Sequence, residues 1–215
     1  MRLAAVAAAL LFAAACSGSP ETPAVPQAEI ETAAVQLVTY PLALDPACRG
    51  GRQRAYDECS NQLDLFNAAL DRANAEDKAL LVVIGAEWCG WCRAFDAHLD
   101  GATGPYDRLN AKKRGDVSRA ALELVTYTAG NYVIVHIEDE YAPGTEDVIT
   151  ATEVGDNFQH YYPTIFSVTP DGKFAAKLDH PYVKIQKGAP EPYQGYDRGR
   201  VLSELERLHK AAQAG

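Results

Sequence analysis

An apolar run, Ala79-Leu80-Leu81-Val82-Val83-Ile84-Gly85, leads through Ala86 and Glu87 into Trp88-Cys89-Gly90-Trp91-Cys92. A strand with one wet face alternates apolar and polar side chains, whereas an unbroken run marks a strand covered on both faces of a sheet. Downstream, residues 89–99 place Cys92, Phe95 and Leu99 on one helical face. The cysteine pair therefore stands where a central strand hands over to a helix. Covering both faces of that strand calls for helical layers around a central sheet.

The rest of the chain fits such layers. Residues 35–40 alternate with period two, as a strand does. Leu63, Phe66, Leu70 and Ala73 share one helical face, with Asn61 as cap, and Asp116 caps a further predicted helix through about Tyr127. Residues 132–137 and 164–168 read as strands, and Pro170-Asp171-Gly172-Lys173 as a hairpin turn into a strand over 174–178. Val201, Leu202, Leu205 and Leu208 line a closing helix. Strand–helix–strand followed by a hairpin and a helix predicts an α/β fold with a central mixed β-sheet flanked by helices. A length of 215 residues suits one well-cored domain. Extra length falls at 36–60, 101–131, 141–161 and 179–197, where additions near a site choose partners. The last stretch, with Pro181, Pro190 and Pro192 among Tyr182, Tyr193 and Tyr196, is expected as an ordered loop.

Five cysteines, 16, 48, 59, 89 and 92, leave one over after pairing. Arg2 precedes thirteen apolar residues over 3–15. That is short of the roughly 20 a membrane span needs, and it has the length of a signal-peptide core. Ala13-Ala14-Ala15-Cys16 resembles a bacterial lipoprotein cleavage site, with Ala13 where leucine is usual. The resemblance implies a signal peptide over 1–15 and lipid on Cys16; a plain secretory cut after Ala15 leaves Cys16 incidental. Residues 17–35, with three prolines and few large apolar groups, favour the lipoprotein because they read as a tether. Extended, that tether reaches about 50–60 Å. Ser17 resembles the outer-membrane-sorted type, so the expected place is the bacterial cell envelope, at the outer membrane and facing the periplasm. The domain proper is expected over 36–215. A net charge of -9, with Lys112-Lys113-Arg114 the longest basic run, argues against a nucleic-acid partner.

Two cysteines three apart at a helix start can close a small disulfide ring, and the helix N-terminus stabilises a thiolate on the first. That thiolate attacks a partner's disulfide, and the second cysteine resolves the mixed disulfide. Cys89 is thus expected as the exposed nucleophile and Cys92 as the more buried resolver. A zinc site needs two further ligands, and Cys48 and Cys59 have ten residues between them where zinc pairs have two to four. A c-type haem site needs His where Arg93 stands. A purely structural bond across two residues adds little stability. A peroxidase would need a separate peroxidatic pocket, and both cysteines sit in one short motif.

Ala86-Glu87-Trp88-Cys89-Gly90-Trp91-Cys92-Arg93 after an apolar strand closely resembles the active site of the thioredoxin superfamily. Pro163, seventy-one residues past Cys92 in Tyr162-Pro163-Thr164, resembles that superfamily's cis-proline loop. Over residues 60–215 the resemblance implies a thioredoxin-like fold with insertions and a thiol-disulfide oxidoreductase whose redox group is the dithiol itself, without organic cofactor or metal. Its implied partners are protein thiols and disulfides and an electron-donor dithiol protein. In that fold the proline packs on the cysteine pair and blocks metal capture, while the residue before it pairs its backbone with a bound peptide. Trp88, Gly90, Trp91, Tyr162, Pro163 and Thr164 become the substrate-binding candidates, with Trp88, Trp91 and Tyr162 as an apolar docking surface. A non-catalytic binding lipoprotein on the same scaffold, handling metal or haem or docking a protein, is the alternative.

Three positions depart from the pattern. Thioredoxin has a buried acid where this chain has Val83, and a helix-kinking proline where it has Ala97. Between the cysteines stands Gly90-Trp91 rather than thioredoxin's Gly-Pro or the Pro-His of strong periplasmic oxidases, so the direction of electron flow stays open. Glu87 is the nearest carboxylate for proton transfer; the other expectation is a solvated surface group.

Cys48 and Cys59 are expected to pair in an oxidising space, closing a loop worth about 3 kcal/mol; the alternative is a second redox pair feeding the first. Arg49, Arg52 and Arg54 make a basic spot on that loop. His98 is expected at the surface and His136 buried and satisfied. Glu138-Asp139-Glu140 lacks the loop spacing of a calcium site.

Overall fold

The computed structural model describes residues 36–99, 106–107, 112–113, 119–158, 161–188 and 192–215. The leader, Cys16, the tether, Asp116 and Pro190 lie outside them.

In chain order the elements are β1 (Val38–Tyr40), α1 (Gln62–Ala75), β2 (Ala79–Gly85), α2 (Gly90–Leu99), β3 (Tyr106–Asp107), β4 (Lys112–Lys113), α3 (Arg119–Asn131) and β5 (Tyr132–Glu138). There follow α4 (Thr145–Thr152), β6 (Thr164–Val168), β7 (Phe174–Lys177), α5 (His180–Val183), β8 (Lys184–Lys187), β9 (Tyr193–Tyr196) and α6 (Arg198–Gln213). Five strands form one mixed sheet in the order β1-β5-β2-β6-β7. β1 and β2 run parallel to β5, while β6 is antiparallel to both β2 and β7. This is the expected α/β class, a mixed sheet packed against helices.

The apolar run became the central strand because both of its faces are covered. Leu81 and Val83 enter one core with Phe95 of α2, Leu124 of α3 and Leu205 of α6. Leu80, Val82 and Ile84 enter the opposite core with Phe66 of α1 and Val148 of α4. Every residue of β2 is buried. α1 starts where expected, its first turn capped by Asn61, whose side chain accepts from Leu63 N–H at 2.9 Å. The β6–β7 turn needs its glycine: Gly172 has φ +82°, and a Cβ there would stand 2.9 Å from Leu70.

Two expectations are corrected. The first strand begins at Val38 rather than 35, the sheet pairing with β5 starting at that residue. The described residues within 179–197 hold a helical turn and the antiparallel β8–β9 pair (the β8–β9 hairpin) rather than a loop. Its aromatic residues give that hairpin a face to bury: Tyr196 lies in the core beside Phe95, ring centroids 5.6 Å apart. Among the described residues no helix is long and apolar enough to cross a membrane.

Candidate active site

The C-terminal end of β2 delivers Cys89 and Cys92 to the first turn of α2, and the two form a disulfide with Cα atoms 5.3 Å apart. The Cys92 N–H donates to Cys89 Sγ at 3.0 Å. A helix N-terminus has unpaired N–H groups to offer, and here one of them faces the first sulfur. That geometry favours negative charge on Cys89 over Cys92.

Pairing of Ile84 with Thr164 brings the start of β6 alongside this end of β2. Tyr162-Pro163, just before β6, is a cis peptide, and Tyr162 packs against the cluster formed by Tyr56, Cys89 and Cys92. Pro163 and Thr164 are buried, and the Thr164 hydroxyl donates to Tyr161 O at 3.0 Å. Tyr162 donates to Asp139 Oδ2 at 2.9 Å, and Trp88 to Glu140. Their rings stand 5.8 Å apart. Glu138 accepts the N–H groups of Glu140, Tyr141 and Ala142 at 3.0, 2.6 and 2.9 Å. The acidic triplet thus anchors its own loop and the two aromatics.

Several expectations change at this level. Cys89 is not exposed: it is 3% accessible against 0% for Cys92, because Tyr56, Trp91 and Tyr162 close around the pair. The expected ranking holds, but the margin is thin. Trp88 is the outward-facing aromatic at 60%. Trp91 turns the other way, edge-on to Tyr196 at 5.4 Å and beneath the Lys184 ammonium at 4.5 Å. Trp91 therefore packs between the β8–β9 hairpin and the cysteine cluster, while Trp88 faces outward.

Glu87 is half-buried and committed to the backbone rather than a free surface group. Its carboxylate accepts the backbone N–H groups of Ala55 and Tyr56 at 3.2 and 3.1 Å, tying the 48–59 loop to the motif. Cys48 and Cys59 are joined in a disulfide, as expected. His98 is fully buried rather than at the surface, its ring nitrogens 2.6 Å from Ala94 O and 3.1 Å from Tyr196 O. His136 is buried as expected, with Nε2 2.8 Å from Asp96 Oδ1, but it is not fully satisfied, since its buried Nδ1 has no hydrogen-bond partner among the described residues. Burial works to lower its pKa, but the Asp96 carboxylate prevails and raises it.

Three residues that the sequence did not single out for the site come together beside the disulfide. Tyr56 stands edge-on to His136 with centroids 5.0 Å apart, and His136 holds Asp96. Val83 pairs in register with His136, so the ionisable group near the expected acid position sits one strand over. Arg49, Arg52, Arg54 and Arg93 line a cleft of about 610 Å³ with Trp88 and Glu87, so the basic spot borders the motif. Among the described residues no group of His, Cys, Asp and Glu is placed to hold a metal ion.

Compared with known proteins, the chain matches no family model and no curated protein. Fold and site define the class by themselves: an α/β domain carrying a Cys-Gly-Trp-Cys disulfide at the end of its central strand.

Proposed function

We propose that the protein is a thioredoxin-superfamily thiol-disulfide oxidoreductase of the bacterial envelope, lipid-anchored through Cys16. The observation that carries this reading is the Cys89–Cys92 disulfide on the first turn of α2, with the Cys92 N–H on the Cys89 sulfur. The reduced Cys89 thiolate attacks one sulfur of a substrate disulfide, forming a mixed disulfide and releasing a substrate thiolate that takes up a proton. Cys92, deprotonated, then attacks Cys89 Sγ. The internal disulfide re-forms, the second substrate thiolate leaves, and two electrons have passed to the substrate. Run backwards, the same steps oxidise a substrate dithiol. Trp88 and the Tyr162-Pro163 segment receive the substrate chain, and another dithiol protein exchanges electrons with the pair. The hydrophobic leader and the tether support an outer-membrane anchor facing the periplasm.

The test is trapping. Cys92→Ser is expected to accumulate mixed disulfides with a disulfide-bonded substrate such as insulin, and Cys89→Ser none; equal trapping by both contradicts the assigned roles. The 3% accessibility of Cys89 favours a second reading, a non-catalytic binding protein on this scaffold. That reading predicts an 89–92 bond resistant to mild reductant and no insulin reduction.

A further inference from the structure

Tyr56 is 1% exposed, and its hydroxyl is buried without a hydrogen-bond partner. Buried hydroxyls are almost always paired, so an orphan calls for an explanation. Its position supplies one. A Cβ built on Gly85 would stand 2.7 Å from the Tyr56 hydroxyl and 2.7 Å from Cys92 Sγ. The two atoms therefore flank one point above the Gly85 backbone, and only a residue without a side chain leaves them that space. A disulfide sulfur is a weak acceptor, whereas a thiolate accepts strongly. In the oxidised protein the hydroxyl makes no hydrogen bond; reduction turns the sulfur beside it into a strong acceptor.

We infer that Tyr56 is a further catalytic residue whose hydroxyl donates a hydrogen bond to the Cys92 sulfur once the 89–92 disulfide is reduced. The bond stabilises the reduced pair and the Cys92 thiolate that resolves the mixed disulfide. The inference rests on the redox reading only in requiring that this disulfide opens.

The surroundings hold the phenol in that role. Glu87 fixes the backbone of Tyr56 from inside the motif. The 48–59 disulfide closes the loop that bears it, and His136 of β5 supports its ring. Burial raises the Tyr56 pKa well above its ordinary value, and Asp96 of α2, Tyr196 of β9, Glu87 and Glu138 of β5 add to the rise. The hydroxyl so keeps its proton and remains a donor. His136, whose ring faces the phenol, is itself tied to Asp96.

The experiment is an equilibrium with glutathione, in which the protein disulfide and two glutathione thiols give the protein dithiol and one glutathione disulfide. Tyr56→Phe keeps the ring and removes the donor. It is expected to shift the equilibrium about tenfold toward the protein disulfide, a potential about 30 mV more negative. A second readout is the thiolate absorbance of Cys92 across pH in a Cys89→Ser background, where adding Tyr56→Phe is expected to raise the Cys92 pKa by about one unit. A merely packing role moves neither. An equilibrium constant within twofold of the parent, or a shift toward the dithiol, overturns the inference, as does an unchanged Cys92 titration. Insulin left intact by the parent protein would defeat the proposed function instead, while the glutathione equilibrium still decides Tyr56.

Discussion

The two disulfides of this domain differ in exposure and in surroundings: Cys89 and Cys92 are both buried, whereas Cys48 is buried and its partner Cys59 is exposed. Cys48–Cys59 joins residues 11 apart in an irregular loop. Around it the polar groups are already committed: Asp57 Oδ1 accepts from Cys59 N–H at 2.9 Å and Ser60 N–H at 3.0 Å, and Arg49 pairs with Glu58 at 3.1 Å. Cys89–Cys92 spans 3 residues on a helix start. There a helix N–H points at one sulfur and an unpaired hydroxyl stands near the other. Exposure alone would thus point to the wrong bond, since the pair proposed to react is the more hidden one. What separates them is whether the groups facing the sulfurs can stabilise a thiolate.

The comparison breaks most visibly if the staple is cut. Replacing Cys48 and Cys59 together by serine is expected to cost about 3 kcal/mol of stability, from the unfolded-state entropy of the closed loop. Denaturant unfolding of the oxidised protein measures it. Because that loop carries Tyr56 and is tied to Glu87, the same variant should also lower the 89–92 potential in the direction of Tyr56→Phe. An undiminished stability would make the 48–59 bond something other than a staple.

Acid sharpens the contrast with a smaller effect per pH unit. Beside Trp91, burial, with the Lys184 charge adding to it, pushes the His180 pKa from 6.5 down to about 3. Between those values the unfolded chain binds a proton that the folded chain refuses, so stability falls as pH drops below 6.5. The slope is about 1.4 kcal/mol per pH unit. Around Asp57, burial acts to raise the pKa, but hydrogen bonds from Ser60 and Cys59 prevail and lower it from 3.8. Its contribution is present above 3.8 and is lost only below that value, as pH falls through the depressed pKa. Between pH 6.5 and 4, therefore, His180 contributes to the loss while Asp57 does not. His180→Phe should flatten the slope in unfolding experiments across that range; an unchanged slope would place its origin elsewhere.

Much of this was legible in the chain, and the misses have a common cause. β2 showed itself because a strand buried on both faces leaves no polar position in its sequence, and α1 because its stripe and its Asn61 cap coincide. The cysteine motif could be placed because strand and helix periods meet there. The surface expectation for His98 fails because its ring faces the β8–β9 hairpin, whose short strands, Lys184–Lys187 and Tyr193–Tyr196, lack a strong alternating pattern. Tyr56, His136 and Asp96 come from a loop, a strand and a helix, and no spacing links them. The one local sign was Gly85, a glycine ending an apolar strand just ahead of the motif, where a backbone must be approached closely.

The central claim is that Cys89–Cys92 is the exchanging bond and Cys48–Cys59 the inert one. It is tested most directly by equilibrating the protein against a series of glutathione redox buffers, alkylating the free thiols and assigning them by mass. The account predicts that Cys89 and Cys92 become labelled together at a mild poise while Cys48 and Cys59 stay joined, through potentials below about -300 mV. Labelling of Cys48 and Cys59 first, or of all four in one step, would contradict it.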